Sequence, residues 1–471
     1  MAEPMRILVS GDFGGPRPRP RPWPKPIFVD RDNFDEVLAD AGVTVRLPGL
    51  GPGESDLLVP IHSLDDFHPD QLWQQVPIFG QLRDWRYRLD QPQHFEQAAV
   101  EVRQTLAPTS APPPATAALA NAAAGNAAVS DAGLLDQIIG ASSPQPASVN
   151  PLTADVQRWL AAVVNRYALP AERPDHAELV RLVERAGADL MRCLLHHERF
   201  MAVEATWRGL YWLVKRLPTG THLKLYCTDL SRDELADDLL PSSDLTTTQT
   251  YRQWVQLSLE SAQARPWDLV IGLYSFTPTE ADAAFIGRLM LLAELADCAV
   301  VADASLDFVA EPADERAASA WRGLRQLPES ARVGLVLPRL MLRVPYGREG
   351  SSVEALALEE NEPDQPEHYL WGSGALTVGV AVGEAFARVG RDGLSRSIHG
   401  RLDDLPVAIA QRDGQRELVP PTEATMTEDT VNHILERGLM PLWAMAGRNA
   451  AWLPALVGLR EPLAALRGGW S

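Results

Sequence analysis

The first hundred residues alternate between strand-like and helix-like patterns of apolar positions. Residues 6–12 form a short apolar run that enters a glycine turn, as expected of an early core strand. Phe34 and Val37 recur at helical spacing near acidic residues, which predicts a helix at this point. Two more helices are predicted, at residues 69–76 and 77–89. The apolar residues of the second share one side, which we expect to face the core: Leu82, Trp85 and Leu89.

A proline-rich arm interrupts this segment. From residue 16 to residue 26 about every second residue is proline, interleaved with arginines and a lysine. Because proline lacks the amide hydrogen that a sheet requires, the arm is predicted to be extended and unpaired. A stiff surface loop is the simplest interpretation. An arm that docks in a partner's aromatic groove is the alternative, and the sequence leaves that choice open.

Residues 107–151 differ in composition from both flanks. They are rich in Ala, Pro, Thr, Gly, Asn and Ser, which is typical of a flexible linker. One apolar island interrupts the linker at residues 134–139, with the length of a turn or two of amphipathic helix. A recognition helix and a simple docking segment both fit this pattern. The candidate partner-binding residues are Leu134, Leu135, Ile138 and Ile139.

From residue 152 the pattern changes to long helices, followed by alternating strands and helices. Helices are predicted at residues 152–167, 175–195 and 203–217, and a later one at residues 281–295. Continuous apolar runs lie between the helical stretches, as is typical of strands buried on both faces of a mainly parallel sheet. These runs lie at residues 223–227, 269–273, 299–302 and 333–337.

The patterns divide the chain into three parts. We predict a first domain at residues 1–106, a linker at residues 107–151 and a second domain at residues 152–471. A chain of 471 residues exceeds what one hydrophobic core usually serves, so more than one domain is expected. The predicted fold class is α/β, in which a strand and helix segment packs with a domain of mainly parallel sheet and a helical lead-in.

Composition and charge exclude several classes of partner. Hydrophobic residues make up 46% of the chain and charged residues 22%, which is ordinary for a folded protein. The formal net charge is −19, and the basic residues form no stripe with interleaved aromatics, so we expect no nucleic acid partner. The longest apolar run, residues 375–383, is too short to cross a bilayer, and no export signal is visible. We therefore expect a cytoplasmic protein without membrane insertion.

The three cysteines, Cys193, Cys227 and Cys298, are widely spaced and lie in apolar contexts. This pattern suggests neither a disulfide framework nor a zinc site, and we expect buried thiols in a reducing compartment.

Motifs that carry chemistry are missing from the sequence. Neither a dinucleotide-binding nor a phosphate-loop glycine pattern occurs, and there is no nucleophile elbow. His196 and His197 are interpreted as a capped helix end, since adjacent helical residues point about 100° apart. Acidic pairs at residues 359–360 and 403–404 are interpreted as solvated loop charge. We therefore assign no catalytic, cofactor-binding or metal-ligating residue and expect no cofactor.

Four motif-rich stretches lie in the first hundred residues, at 11–14 (Gly-Asp-Phe-Gly), 28–38, 63–70 and 75–77. Their order and spacing resemble TssB (VipA, ImpB), the small sheath subunit of bacterial type VI secretion systems. The remainder resembles TssC (VipB, ImpC), the large subunit. The matching stretches are residues 134–138, 195–200, 204–213, 223–225, 333–347, 369–372 and 421–423. The most specific are Pro338-Arg339 through Tyr346-Gly347, and Tyr369-Leu370-Trp371-Gly372.

The resemblance implies a structural, non-enzymatic sheath component in which TssB-like and TssC-like parts form a fused protomer. Its implied partners are other sheath protomers, the Hcp inner tube, baseplate components and the ClpV AAA+ ATPase. Contraction of such a sheath drives the tube outward and delivers effectors. The island at residues 134–139 corresponds to the helix of the large subunit that ClpV grips.

The sequence departs from the family pattern at both ends. Only residues 1–5 precede the first strand, where the small subunit usually carries an extension, and the chain stops where the large subunit usually continues. Because an unpaired strand edge templates association, we expect these differences to weaken open-ended polymerisation. The alternative function is a non-elongating adaptor or cap at the sheath end or baseplate. An enzyme of unknown reaction is a distant third.

Overall fold

The computed structural model describes residues 4–15, 21–51, 55–106, 176–256, 266–310, 314–362, 364–391, 394–398, 400–412, 414–445 and 447–470. The predicted linker, its apolar island and the helix predicted at residues 152–167 lie outside these residues. The domain boundaries at residues 106 and 151 therefore stay predictions.

The described strands are β1 (Met5–Gly11), β2 (Ile27–Val29), β3 (Val43–Leu47), β4 (Leu57–Ile61), β5 (Leu223–Asp229), β6 (Leu269–Phe276), β7 (Ala299–Ala304), β8 (Val333–Leu337), β9 (Leu340–Met341), β10 (Trp371–Gly372), β11 (Arg401–Leu402), β12 (Ala408–Arg412), β13 (Gln415–Val419), β14 (Met440–Pro441), β15 (Trp443–Ala444) and β16 (Ala451–Trp452). The described helices are α1 (Phe34–Asp40), α2 (Pro69–Gln75), α3 (Gly80–Leu89), α4 (Phe95–Leu106), α5 (His176–Leu195), α6 (Glu198–Arg216), α7 (Arg232–Leu239), α8 (Gln249–Tyr251), α9 (Glu280–Leu295), α10 (Glu315–Arg325), α11 (Ala375–Val389), α12 (Leu394–Ser397) and α13 (Glu428–Glu436).

The chain folds into two compact units. The first comprises the described residues of Met1–Leu47, Leu57–Val76 and Leu190–Ser471, and the second those of Pro48–Asp56 and Pro77–Asp189.

A seven-stranded sheet forms the centre of the first unit, in the order β14-β8-β7-β6-β1-β5-β2. All neighbours in it are parallel except β2, which runs antiparallel to β5 at one edge. The predicted α/β class with a mainly parallel sheet is confirmed. Each predicted apolar run is a strand of this sheet, and the strands β7 and β8 are buried along their whole length, as covering on both faces requires.

Helices cover both faces of the sheet. Phe285 and Leu289 of α9 belong to the same buried cluster as Val270 and Val300, which lie on one face. On the other face α11 approaches very closely, because a side chain at Gly379 would place its Cβ 2.5 Å from Ile271. A glycine is needed at this position of α11 for the helix to lie so near the strand.

Smaller sheets surround the central one in the first unit. Strands β3 and β4 form an antiparallel pair with alternating buried and exposed residues, and β12 and β13 form a second hairpin. Strands β9 and β10 pair, and β11, β16 and β15 form a short antiparallel sheet. The pattern of apolar positions did not predict any of these four sheets, which have strands of only two to five residues.

In the second unit α3 and α4 pack through apolar faces. The predicted face of α3 is confirmed, since Leu82, Trp85 and Leu89 are all buried. Two polar contacts hold the pair together: Trp85 Nε1 donates to Glu101 at 3.1 Å, and the Arg88 guanidinium donates to both oxygens of the same carboxylate at 2.8 Å.

Helix boundaries agree with the predictions where capping signals were visible. Helix α9 begins one residue before the predicted start at 281, and α5 begins at residue 176. Residues 77–79 form a separate 3-10 turn, so α3 begins at residue 80. Helix α6 begins at Glu198, not 203, because the imidazole of His197 accepts a hydrogen bond from the Arg199 N–H and caps it.

One expectation for the cysteines is wrong. Cys227 and Cys298 are buried, and burial raises the pKa of each thiol to about 12. Cys193 is exposed, because it lies on a side of α5 that faces away from the core.

Candidate functional site: the contact between the N-terminal and C-terminal segments

The N-terminal strand β1 is a central strand of the large sheet. It pairs in parallel with β5 on one side and with β6 on the other, so that Val9 lies opposite both Cys227 and Ile271. Its apolar residues are completely buried on both faces of the sheet. Residues 4–76 of the first unit, here named the N-terminal segment, therefore complete the core of residues 190–470, here named the C-terminal segment.

The turn after β1 is held by a carboxylate from β5. Asp229 Oδ1 accepts hydrogen bonds from the N–H groups of Phe13 (2.9 Å) and Gly14 (3.0 Å). Gly15 follows with φ +70°, a left-handed conformation that favours glycine. The Gly-Asp-Phe-Gly motif thus forms a turn whose donors are satisfied by the C-terminal segment. Burial and the nearby Asp229 raise the pKa of Asp12.

The described part of the proline-rich arm, residues 21–26, binds the chain's own surface. The Arg21 guanidinium donates to Asp229 at 2.8 Å and to Glu234 at 2.7 Å. Burial alone would raise the pKa of Glu234, but hydrogen bonds from Arg21 and Ser231 outweigh it and lower that pKa to about 2. Trp23 packs against the main core cluster, so this part of the arm is a docked strap.

Aromatic rings seal the contact from the side of α6. Trp207 is 1% exposed, and its Nε1 donates to the carbonyl of Phe13 at 2.8 Å. The rings of Phe13 and Phe34 meet it edge-on, with centroids 5.0 and 6.1 Å away. Nearer the start of the same helix, the ring of Phe200 meets the ring of Phe67 in the N-terminal segment, with centroids 5.5 Å apart. Each such pair adds to the apolar burial that joins the two segments.

A buried ionic network lies beside these rings. Glu204 of α6 is fully buried, and it accepts hydrogen bonds from Arg208 Nε at 2.7 Å and from Arg343 Nε at 2.8 Å. Arg343 also donates to both oxygens of Glu360, at 2.7 and 2.9 Å. Two guanidinium groups thus balance two carboxylates. Burial opposes the charge on Glu204, but Arg343 and Arg208 outweigh it and lower its pKa.

Sequence reasoning was wrong about part of this network. The pair at residues 359–360 was interpreted as solvated loop charge, but Glu360 is 2% exposed and fully engaged, since it also accepts from the Tyr346 N–H at 2.6 Å. An arginine in the apolar stretch 340–346 was the available signal, because a buried guanidinium requires carboxylate partners. The pair at 403–404 is exposed, as predicted.

The N-terminal segment reaches this network through the motif at residues 63–70. The His68 ring meets the ring of Tyr346 edge-on, with centroids 4.9 Å apart. The Asp70 carboxylate accepts hydrogen bonds from the N–H groups of Glu354 at 3.0 Å and Ala355 at 2.7 Å. Asp70 therefore orders the loop that follows Tyr346 in the C-terminal segment.

The structure describes the pair of adjacent histidines but not the predicted partner-binding residues. His196 stacks on His368 with ring centroids 3.8 Å apart, and no cluster of histidine, cysteine and carboxylate side chains suited to a metal ion occurs within the described ranges. Leu134, Leu135, Ile138 and Ile139 lie outside the described residues, so their role stays a prediction.

A cavity of about 310 Å³ lies at the carboxyl ends of β1, β6 and β7, where α/β sheets often bind ligands. Its buried acid, Asp303, has a pKa raised to about 7 by burial. The Asp303 carboxylate accepts hydrogen bonds from Ser373 Oγ at 2.9 Å and from the Ala375 N–H at 3.1 Å. It is therefore committed to holding the start of α11.

Comparison with known proteins identifies both segments. Residues 177–456, more than half of the chain, match the VipB family model, described as "EvpB/VC_A0108, tail sheath N-terminal domain". The chain belongs to this tail sheath family. Residues 2–122 match a second model, described as "Type VI secretion system, VipA, VC_A0107 or Hcp2". The polypeptide is thus a fusion of a TssB (VipA) segment and a TssC (VipB) segment.

A curated relative supports the assignment of the second segment. The type VI secretion system sheath protein TssC1 of Pseudomonas aeruginosa is 25% identical over 289 residues. The match covers 57% of this chain and 58% of that protein, so it spans less than two thirds of the relative's length. No helix in the described part of the sheath-family chain is both long enough and apolar enough to cross a membrane.

Proposed function

We propose that this chain is a structural, non-enzymatic component of a type VI secretion contractile sheath, in which one polypeptide forms a fused TssB–TssC protomer in the cytoplasm. The observation that carries the proposal is the position of β1. This strand belongs to the VipA-matching segment and lies in the middle of the sheet built by the VipB-matching segment. Within the first unit, the N-terminal and C-terminal segments share one sheet and act as one building block.

The fusion has a physical consequence for assembly. When two binding partners share one chain, their association becomes intramolecular, and its strength depends on the effective concentration that the linker sets. The ratio of the two segments is also held at one to one. A chain of this kind delivers complete protomers, and its proposed partners are other sheath protomers, the Hcp inner tube and baseplate components.

The charged groups of the contact support a structural role. Asp229 and Glu204 accept hydrogen bonds from backbone N–H groups or from arginines, and Asp303 holds the start of α11. A catalytic acid or base needs a proton that a substrate can reach, and these carboxylates are occupied by internal donors. The ClpV ATPase is proposed as a further partner through the island at residues 134–139.

Negative-stain electron microscopy of the purified chain tests the proposal. Long hollow tubules are the expected result for a bulk sheath subunit, with or without added Hcp. Small closed rings or short caps bound to preformed sheath ends would favour the adaptor alternative. A population of monomers that associates with neither Hcp tubes nor sheaths would contradict both.

A further inference from the structure

Neither outer edge of the hairpin of β12 and β13 has a strand neighbour among the described residues, and the open edge of β12 borders a cleft. Arg412 pairs with Gln415 across a two-residue connection, and a pair that closes such a loop exchanges backbone hydrogen bonds. Bonded and non-bonded pairs then alternate along the ladder. The N–H and C=O groups of Ile409 and Gln411 therefore point away from β13, toward the open edge of β12.

The two faces of this hairpin differ. One face is anchored, because its residues belong to a buried cluster with the ends of β9 and β10: Ala408, Ala410, Val419, Met341, Tyr369 and Trp371. The other face carries a cross-strand apolar pair, Ile409 opposite Leu418, with 39% and 46% of the side chains exposed. A firmly held strand thus presents unpaired backbone groups next to exposed apolar surface, which is the arrangement that binds an added strand.

A cleft runs along the open edge of β12. Its volume is about 590 Å³, and its walls are β12 itself and the loops at residues 344–350 and 359–364. An added strand lies about 4.8 Å from its neighbour, and the cleft lies on the side of β12 where that neighbour would have to be.

The walls of the cleft are acidic. The residues that line it include five carboxylates and one guanidinium: Glu349, Glu359, Glu360, Glu362, Asp364 and Arg348. Three of these carboxylates are neutralised by ion pairs: Glu349 by Arg416, Glu359 by Arg348 and Glu360 by Arg343. Glu362 is exposed and pairs with no cation in the described part of the chain. The remaining negative charge favours a cationic occupant.

We propose that this cleft is a docking site for a basic, extended segment of a partner protein, which adds a third strand to the hairpin along β12. Main-chain hydrogen bonds to Ile409 and Gln411 provide the register. Because side chains alternate along a strand, apolar residues of the segment contact Ile409 on the outer face, and Lys or Arg residues face Glu362 and Asp364.

The basic arm of a neighbouring copy is a poor occupant. The described part of the arm is already bound to its own chain, where Arg21 donates to Asp229 and Trp23 packs against the core. The occupant must instead be a basic segment that is free to extend. This inference is independent of polymerisation, since it concerns the hairpin of a single chain.

Fluorescence anisotropy with blocked, labelled peptides tests the inference on the full chain. The probe alternates Lys and Val, one control alternates Glu and Val, and a second control is the Lys/Val peptide N-methylated at every residue. We expect saturable binding of the probe and at least roughly tenfold weaker binding of both controls, since one lacks the charge and the other the N–H donors.

A pair of protein variants locates the site. Glu362→Lys reverses the unpaired charge in the cleft and should weaken probe binding by roughly threefold to tenfold. The matched variant Glu36→Lys changes an exposed glutamate outside the cleft and should leave binding unchanged. Amide hydrogen exchange at residues 408–411 should slow when the probe binds. Equal binding of the N-methylated peptide, equal effects of the two variants, or no binding of the probe would overturn the inference.

Discussion

Neutralising Glu204 removes one buried carboxylate from the ionic network of the C-terminal segment, which lies beside the contact with the N-terminal segment. Its carboxylate accepts from Arg208 at 2.7 Å and from two nitrogens of Arg343 at 2.8 and 3.2 Å, and it is fully buried. Glu204→Gln keeps the shape of the side chain but leaves two guanidinium groups facing one carboxylate. Removing one partner of a buried ion pair costs about 3–5 kcal/mol. Because Arg343 keeps both bonds to Glu360, we expect the lower value, about 3 kcal/mol.

Urea unfolding followed by tryptophan fluorescence measures this loss, since Trp207 lies on the same helix as Glu204. Glu315→Gln is the matched control, because Glu315 is 85% exposed and pairs with Arg322, which is itself exposed. Its free energy of unfolding should change by less than about 0.5 kcal/mol. A loss for Glu204→Gln as small as that of the control would refute the view that the network stabilises the fold.

The pH dependence of the free energy of unfolding, measured for the wild type and for Glu204→Gln, gives a second check. The pKa of Glu204 is lowered in the folded state, so its contribution is complete above the ordinary glutamate pKa. That contribution is lost as the pH falls through the lowered pKa. The stability gap between the wild type and Glu204→Gln should therefore narrow on acidification. A gap that stays constant would contradict the assigned charge.

Three further predictions concern single side chains. Burial and nearby cations lower the pKa of His196 to about 3, from an ordinary value near 6.5. Below pH 6.5 the unfolded chain therefore binds more protons than the folded one, and the free energy of unfolding should fall by about 2 kcal/mol between pH 6.5 and pH 5. Urea titrations of His196→Gln should show a smaller fall. Trp207→Ala should cost about 3–5 kcal/mol in the same titration because it removes a buried ring and the bond to Phe13, whereas an effect below about 1 kcal/mol would contradict its place in the core. Leu135→Asp should abolish binding to ClpV in a pull-down without changing the unfolding transition, and unchanged binding would refute the assignment of the island.

Local patterns predicted the long strands of the C-terminal segment and the helices α5, α6 and α9, but not its short strands or its helices α7, α10, α11 and α13. Strands β7 and β8 are continuous apolar runs and α9 has helical periodicity, and all three occur within a few residues of the predicted positions. The spacing of apolar residues in a strand or helix depends on whether one face or both faces are buried, and the sequence shows this spacing directly. The start of α6 was predicted five residues too late, because its cap is His197 and histidine is a weaker capping signal in a sequence than serine or aspartate.

Long-range pairing was beyond this kind of inference. The pattern predicted β1 as a core strand, but its neighbours β5 and β6 begin more than two hundred residues later, and apolar runs of similar composition do not specify which edges join. Likewise Glu360 was interpreted as a solvated acid, because only the fold shows that its side chain is buried and paired with Arg343. The resemblance to the sheath subunits identified the family, whereas composition and periodicity alone did not.

Cleavage of the chain between its two segments tests most directly whether they form one body. A protease site inserted within residues 107–151 would separate the segments covalently, and size-exclusion chromatography with intact-mass analysis would then follow both fragments. Because β1 lies between β5 and β6 and its turn is held by Asp229, we predict that the fragments co-elute in a single peak and unfold in one cooperative transition, whose midpoint rises with protein concentration. Fragments that separate, each with its own cooperative unfolding transition, would contradict the account.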